Sequence, residues 1–209
     1  MNEFWANREF ERLLCEYTGA PRAIVVDNAC NALFLCLRYI DAIQHPAGVE
    51  RNVSIPRNTF IGVPYAIKAA GFTPVGVGNP AEGGFLEGPY QLHPFPIWDS
   101  ALRLTSGMYQ KGQFMCLSFT GPYKHLKLQK GGAILLDDEY AETWLRRASY
   151  CGRNYVSYHE DTFTMPEGYN HYLPPMIATL GVQLIKGLSL HNPDLRLPYP
   201  DWSTHPAFQ

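Results

Sequence analysis

The sequence predicts an α/β fold with a mostly parallel sheet flanked by helices. Short, continuous apolar runs alternate along the chain with segments whose apolar residues recur at helical spacing. Continuous apolar runs are typical of strands that are buried on both faces, as in parallel sheets. Polar turns follow several of these runs, where a strand would lead into a helix. This alternation is typical of α/β domains.

The first half of the chain contains three predicted strands, each with a predicted helix beside it. Gly19 and Gly71 supply helix stops, because glycine adopts the conformation that ends a helix. The elements are expected, in order, at 3–18 (helix), 23–26 (strand), 32–40 (helix), 52–56 (strand), 59–70 (helix) and 73–77 (strand).

The second half begins with a predicted loop over 78–94, which is rich in Gly and Pro. Further elements are expected at 95–98, 114–119 and 131–136 (strands), from Asp137 or Asp138 through 147 (helix) and over 173–188 (helix). The Pro-rich end of the chain is expected to form an ordered but irregular arm or a frayed tail. We therefore predict one minimal domain over 1–190 and a C-terminal arm over 191–209.

The composition excludes several classes of protein. With 209 residues the chain can form one full core or at most two small ones. Its formal net charge of −2 is unlike that of proteins held to nucleic acid mainly by phosphate contacts. Its 46% hydrophobic content argues against disorder. Only 17% of the residues are charged, against about 25% in an average domain, which favours burial of surface against another protein.

The N-terminus and the cysteines favour a cytoplasmic protein. The N-terminus lacks the basic and apolar segments of a signal peptide, and no run approaches the roughly 20 apolar residues that cross a bilayer. The five cysteines are widely spaced and include no CxxC pair, which argues against a zinc site or a disulfide framework. The histidines show no metal-ligand spacing either. We expect a soluble protein of a reducing compartment, with no metal and no membrane contact.

Three polar segments carry the candidate chemistry. They are the turn over 28–31, Asp99, and the segment 118–124 with the glycine pair that follows it. Each lies at the predicted C-terminal end of a strand, where α/β sheets bind ligands. The turn also opens a predicted helix, whose first N–H groups would form an anion site.

These segments resemble the DegT/DnrJ/EryC1/StrS family of sugar aminotransferases, which are pyridoxal-phosphate enzymes of fold type I. The family pattern has a Ser-Gly-Thr-type turn, Pro-x-x-Thr-Phe, a strand ending in Asp-x-Ala, Ser-Phe-x-x-x-Lys and a Gly-Gly strand. In the same order this chain has Asn28-Ala29-Cys30, Pro56-Arg57-Asn58-Thr59-Phe60, Asp99-Ser100-Ala101, Ser118-Phe119 with Lys124, and Gly131-Gly132. The turn Gly168-Tyr169-Asn170 resembles the family's Gly-Tyr-Asn turn, and the resemblance extends over about 8–188.

The resemblance implies a fold and an activity. The fold would be the large domain of an aspartate aminotransferase-like enzyme, without the small C-terminal domain and without one strand–helix unit between Gly78 and Asp99. The activity would be transfer of an amino group from an amino acid, glutamate or glutamine, to a keto-sugar that is nucleotide-linked. The implied assembly is a homodimer with the active site at its interface.

The resemblance also implies a role for each matching residue, and the roles agree with what pyridoxal 5′-phosphate requires of a protein. The implied catalytic residues are Lys124, as the Schiff-base lysine and proton carrier, and Asp99, which would pair with the ring nitrogen. The other implied cofactor contacts are Phe60 stacked on the ring, Asn28, Ala29, Cys30 and Ser118 around the phosphate, and Asn170 reaching the phosphate of the neighbouring subunit.

The chain departs from the family pattern at specific positions. Ala29-Cys30 replaces Gly-Thr, which removes a phosphate-binding hydroxyl, and Leu102 stands where the family has Gln or His. Spacing to the glycine pair favours Lys124 over Lys127 and Lys130. Three alternatives therefore stay open: another pyridoxal-phosphate activity such as dehydration or racemisation, a non-catalytic relative that binds a sugar nucleotide or a partner, and a generic α/β protein with chance matches.

Overall fold

A five-stranded sheet lies at the centre of the protein. The computed structural model describes residues 4–44, 51–78, 84–161 and 165–209. The strands are β1 (Arg22–Val26), β2 (Asn52–Pro56), β3 (Thr73–Val77), β4 (Phe85–Glu87), β5 (Tyr90–Gln91), β6 (Ile97–Asp99), β7 (Phe114–Ser118), β8 (Gly132–Leu136) and β9 (Arg196–Pro198). The central sheet has the order β1-β8-β7-β6-β5, and two smaller sheets pair β2 with β3 and β4 with β9.

The central sheet is mixed, whereas the sequence predicted a mostly parallel one. Within it only β6 and β7 pair in parallel; β8 runs antiparallel between β1 and β7, and β5 runs antiparallel to β6. The reason lies in the connections. A parallel return needs a crossover, usually through a helix. The segments that join β5 to β6 and β7 to β8 contain no helix, so the chain turns back on itself. The separate pair of β2 and β3 is parallel, with α3 between its strands, as predicted.

Helices cover both faces of the central sheet. The α-helices of the described residues are α1 (Trp5–Thr18), α2 (Ala29–Tyr39), α3 (Gly62–Ala69), α4 (Glu139–Ser149) and α5 (Pro175–Ile185), of which α3 packs against α2 and β3. On one face α1 and α5 pack together over side chains such as Val25 and Leu135. On the other face α2 and α4 pack over side chains such as Ile24 and Ile134. The continuous apolar runs of β1 and β8 are thus buried on both faces, as their composition predicted.

Local sequence signals set the ends of the helices. Asn28 caps α2 by accepting a hydrogen bond from the backbone N–H of Asn31, and α2 continues into a π-helix over Ile40–Gln44. Asp138, rather than Asp137, caps α4, because its side chain accepts from the backbone of Tyr140 and Ala141. Proline fits the first turn of a helix, which lacks internal N–H partners, so α5 begins at Pro175 instead of 173.

The predicted loop over 78–94 holds two short strands, β4 and β5. Residues 79–83 of that loop lie outside the described residues. Strands this short give no periodicity for sequence reasoning to detect. The segment 191–209, which the sequence predicts to be a C-terminal arm, contains β9 and two 3₁₀ turns, Trp202–Thr204 and Pro206–Phe208. The side chain of Trp202 is buried in the core.

All five cysteines are free thiols. No helix in the described part of the chain has the length and apolar character needed to cross a bilayer.

Candidate active site

A cavity of about 800 Å³ opens where β1, β6 and β7 end. This is the edge of the sheet at which α/β folds bind ligands. Its walls come from five parts of the chain, and they include Asn28, Ala29, Cys30, Leu33, Phe60, Val63, Asp99, Ala101, Ser118, Thr120, Tyr123, Lys124, Leu197, Pro198 and Tyr199. Lys124 is the single cationic side chain among these lining residues.

The first turn of α2 forms one wall of the cavity. Ala29 and Cys30 occupy its first two positions, where backbone N–H groups have no partner within the helix. Gly132 of β8 packs directly beneath this turn. A Cβ atom at Gly132 would lie 2.7 Å from the carbonyl carbon of Asn28 and 2.8 Å from the nitrogen of Ala29. A side chain at position 132 would collide with the turn, so this glycine allows the turn to lie against the sheet.

Asp99, the last residue of β6, is buried at the base of the cavity with 6% of its surface exposed. Its Oδ1 accepts the backbone N–H of Ala101 at 2.9 Å, and its Oδ2 accepts the hydroxyl of Tyr90 at 2.9 Å. The Tyr90 oxygen is also 2.7 Å from Oγ1 of Thr59. Burial raises the pKa of Asp99, while the hydrogen bonds from Ala101 and Tyr90 and the charge of Lys124 lower it. The carboxylate is thus fixed in position by both of its oxygens.

Hydrogen bonds to the main chain of Ala101 connect Lys124 with Asp99. Its Nζ donates to the carbonyl oxygen of Ala101 at 2.7 Å, while the N–H of the same Ala101 donates to Asp99. Burial lowers the pKa of Lys124, and the negative charge of Asp99 opposes that shift. A lowered pKa increases the share of neutral amine, which is the nucleophilic form.

Phe60 and Cys30 lie next to each other on the cavity wall. The ring of Phe60 is 51% exposed and meets the ring of Tyr199 edge-on, with centroids 6.3 Å apart. Burial raises the pKa of the Cys30 thiol to about 12, so the thiol is neutral at physiological pH. A Cβ atom at Gly62 would come within 2.6 Å of the Cys30 sulfur and 2.7 Å of the Phe60 ring. The absence of a side chain at Gly62 lets both residues face the cavity.

The structure brings together seven of the eight residues that the sequence singled out. Those seven are Asn28, Ala29, Cys30, Phe60, Asp99, Ser118 and Lys124. Asn170 does not line the cavity of its own chain; it is exposed and pairs with Tyr150 through a β-bridge. Its role toward a neighbouring subunit stays a prediction. Leu102 is buried in the core, which explains an apolar residue at that position.

The lysines that the sequence ranked below Lys124 lie outside the cavity lining. Lys127 is exposed, and the Nζ of Lys130 is 3.8 Å from a carboxylate oxygen of Asp27. Among the described residues no group of three or more His, Cys, Asp or Glu could hold a metal ion. That the protein needs no metal stays a prediction.

Sequence reasoning missed several residues of the site. Tyr90 lies in a segment that was predicted to be loop, and Thr59 was seen only as part of a motif. The contribution of Leu197, Pro198 and Tyr199 comes from the C-terminal arm, far from the motifs in the chain. One signal was available: three aromatic residues, Tyr199, Trp202 and Phe208, in a segment that was otherwise expected to be irregular.

The lining residues fit pyridoxal phosphate. The cofactor requires a lysine amine, a carboxylate for the ring nitrogen, an aromatic wall and an anion-binding turn, and the cavity offers one of each. The carboxylate is already held by two donors, and the lysine is half-buried beside it.

Comparison with solved structures shows that the chain shares its fold with part of several aminotransferases. PseC, an aminotransferase of pseudoaminic acid biosynthesis from Helicobacter pylori, aligns with a TM-score of 0.68 and 17% identity over 87% of this chain and 57% of its own. AtS13 from Actinomadura melliaura aligns with a TM-score of 0.70 and 19% identity over 87% of this chain and 59% of its own. The sugar aminotransferase Spr1654 from Streptococcus pneumoniae, in its PLP form, aligns with a TM-score of 0.66 and 20% identity over 88% of this chain and 59% of its own. The chain thus spans less than two thirds of the length of these proteins.

The resemblance to the DegT/DnrJ/EryC1/StrS aminotransferase family is confirmed over the first part of the chain. The model of that family matches residues 4–84, which contain the anion-binding turn and the Pro-x-x-Thr-Phe segment. A comparison with curated protein sequences gave no match. The remaining motifs, from Asp99 onward, lie outside the residues that the family model matches.

Proposed function

We propose that this protein is a pyridoxal-phosphate-dependent aminotransferase that acts on a sugar. The observation that carries this proposal is the arrangement around Ala101. Its N–H holds the carboxylate of Asp99 and its carbonyl oxygen holds the amine of Lys124, inside one cavity. The two groups that pyridoxal phosphate needs at opposite parts of its ring are thus positioned by the main chain of a single residue.

The cavity residues divide the task of holding the cofactor. The carboxylate of Asp99 would accept a hydrogen bond from the protonated ring nitrogen, and the N–H groups of Ala29 and Cys30 would bind the phosphate together with the hydroxyl of Ser118. Phe60 supplies the aromatic wall. When bound, pyridoxal phosphate acts as an electron sink for the bonds at the substrate carbon that bears the nitrogen. Lys124 holds the cofactor covalently at rest and moves a proton to and from that carbon as a general base and acid.

The substrates are the finer part of the proposal. The amino donor is glutamate or glutamine, and the acceptor is a keto-sugar linked to a nucleotide. Two observations support a sugar. The chain resembles the sugar aminotransferase family, and Spr1654, which shares its fold, is described as a sugar aminotransferase.

We also propose a cytoplasmic homodimer whose active site is completed at the interface. The aromatic side chains of Phe60 and Tyr123, at the cavity, are 51% and 71% exposed, which is unusual for rings of this size and favours a partner surface. Asn170 would then reach the cofactor phosphate of the other subunit. Dilution to monomers should release the cofactor, and size-exclusion chromatography with absorbance detection would show both events.

A second candidate function is binding of a sugar nucleotide without turnover. The specific observation in its favour is the pair of departures at the site. Cys30 lacks the hydroxyl of the family's threonine, and Leu102 is buried in the core, where it cannot contact a ligand. The cavity then offers fewer contacts to the cofactor than the family pattern does.

The test is direct observation of the cofactor on Lys124. Purified protein is incubated with pyridoxal phosphate, scanned for absorbance and treated with borohydride, and the modified peptide is identified by mass spectrometry. The expected result is covalent fixation at Lys124 that Lys124→Ala abolishes and Lys127→Ala leaves unchanged, because Lys127 is exposed outside the cavity. Fixation that survives in Lys124→Ala refutes the lysine assignment. Loaded protein that forms no pyridoxamine phosphate with glutamate or glutamine favours the binding function.

A further inference from the structure

The C-terminal arm is fastened to one side of the cavity next to Lys124. Arg103 donates to both carboxylate oxygens of Asp194, at 2.8 and 2.6 Å. The N–H of Leu195 donates to the carbonyl oxygen of Leu102 at 2.8 Å. This side of the arm is therefore anchored within a few residues of Ala101, which holds the catalytic pair.

The arm is fastened independently to the segment that carries Phe60. The side-chain amide of Asn58 donates to the carbonyl oxygen of Tyr199 at 2.8 Å, and the indole N–H of Trp202 donates to the carbonyl oxygen of Pro56 at 2.8 Å. The buried ring of Trp202 adds packing in the core. Because the arm is anchored both before and after residues 197–199, this stretch is a fixed part of the cavity wall.

That stretch presents an uncharged wall. Leu197, Pro198 and Tyr199 all line the cavity, and Tyr199 meets Phe60 edge-on. Burial, with the negative charge of Asp99 nearby, raises the pKa of the Tyr199 phenol to about 12. The phenol is therefore protonated at neutral pH and can donate a hydrogen bond.

The chemistry of this wall selects among ligands. A carboxylate or phosphate would find no cation in the lining other than Lys124, which is already committed to Ala101 and the cofactor. A sugar ring exposes C–H groups on its faces and hydroxyl groups at its rim. An aromatic ring with a phenol at its end matches both features, since such side chains have an apolar body and a polar tip.

We propose that the C-terminal arm forms the sugar subsite of the cavity and that the ring of Tyr199 packs against the sugar. The proposal deepens the proposed function, because it assigns a place for the sugar of the acceptor. Tyr199 is a binding residue that selects a sugar ring over an acyclic or anionic ligand at this wall.

The test compares a nucleotide with its sugar derivative, so that the sugar contribution is isolated. Calorimetry measures Kd for UDP, UDP-glucose, dTDP and dTDP-glucose, none of which carries a keto group that could react. The wild-type protein should bind at least one of the two sugar nucleotides about tenfold more tightly than the nucleotide alone, the size of effect one aromatic face provides. Tyr199→Ala should remove that preference, and Tyr199→Phe should keep most of it.

Separate controls test whether the alanine variant folds and whether the effect is specific to Tyr199. The hydrogen bond from Asn58 uses the main-chain carbonyl of Tyr199, and the neighbouring one uses the side chain of Trp202. The alanine variant therefore retains both, and thermal unfolding checks that it does. Tyr140→Ala, an exposed tyrosine on α4 outside the cavity lining, should leave the preference unchanged. A preference that persists in Tyr199→Ala, or that is absent for both nucleotides in the wild type, overturns the proposal. Loss of the preference in Tyr199→Ala in a protein that fixes no cofactor supports the sugar subsite and refutes the aminotransferase.

Discussion

Tyr90→Phe is expected to destabilise the protein in a pH-dependent way. The Tyr90 hydroxyl donates to the buried carboxylate of Asp99 at 2.9 Å. A hydrogen bond to a charged group contributes about 1.5–3 kcal/mol to stability, against about 1 kcal/mol for an uncharged pair. Loss of the hydroxyl should therefore lower the free energy of unfolding by about 1.5–3 kcal/mol at neutral pH.

The sign of the pH dependence follows from Asp99. Burial raises its pKa in the folded protein, so the folded state carries the cost of a charged carboxylate above that pKa and not below it. Tyr90 reduces this cost only while Asp99 is charged. The difference in unfolding free energy between wild type and Tyr90→Phe should therefore be largest at neutral pH and shrink toward about 1 kcal/mol as pH falls through the folded pKa.

Urea unfolding, followed by fluorescence over a series of pH values, measures this difference. Tyr17→Phe is the matched control. Its hydroxyl donates to the carbonyl oxygen of Ser189, an uncharged partner, so its cost should be independent of pH. A constant difference for Tyr90→Phe across the series would show that Tyr90 does not act through the charge of Asp99.

Two further substitutions test the anion-binding turn. Gly132→Ala should lower the free energy of unfolding by about 1–3 kcal/mol and weaken cofactor binding, because the new Cβ would lie 2.7 Å from the carbonyl carbon of Asn28. Gly78→Ala is the control, and it should lower the free energy of unfolding far less because the space around Gly78 is open. Equal melting temperatures of the two variants would contradict this prediction. Cys30→Thr should restore a hydroxyl to the turn and tighten cofactor binding about tenfold in an absorbance titration. Cys30→Val, in which valine has the shape of threonine without its hydroxyl, should show no gain in cofactor affinity. Equal affinities of the threonine and valine variants would refute the role of the hydroxyl.

The sequence located most elements because their signals are local. The strands at 22–26 and 114–118 are buried on both faces, and their continuous apolar runs predicted them almost to the residue. Strand direction is a different matter. It depends on where the connections go, and an apolar run reads the same in either direction. The mixed sheet therefore became visible only in the structure.

The candidate site divides in the same way. Lys124 and Asp99 stand in short motifs whose order along the chain resembles a family pattern, and the structure brings them into one cavity. Ala101 acts through its main chain, which carries no residue-specific signal. Tyr90 and Tyr199 enter the site through long-range packing, so neither periodicity nor motif spacing could identify them.

The anchored arm has a consequence for how the cavity is made during synthesis. Its walls combine the turn at 28–30, near the start of the chain, with Tyr199, near the end. Since a ribosome delivers the chain from its N-terminus, a nascent chain can complete the central sheet before the last wall exists. The cavity is therefore complete only after residue 199 has emerged and the arm has docked.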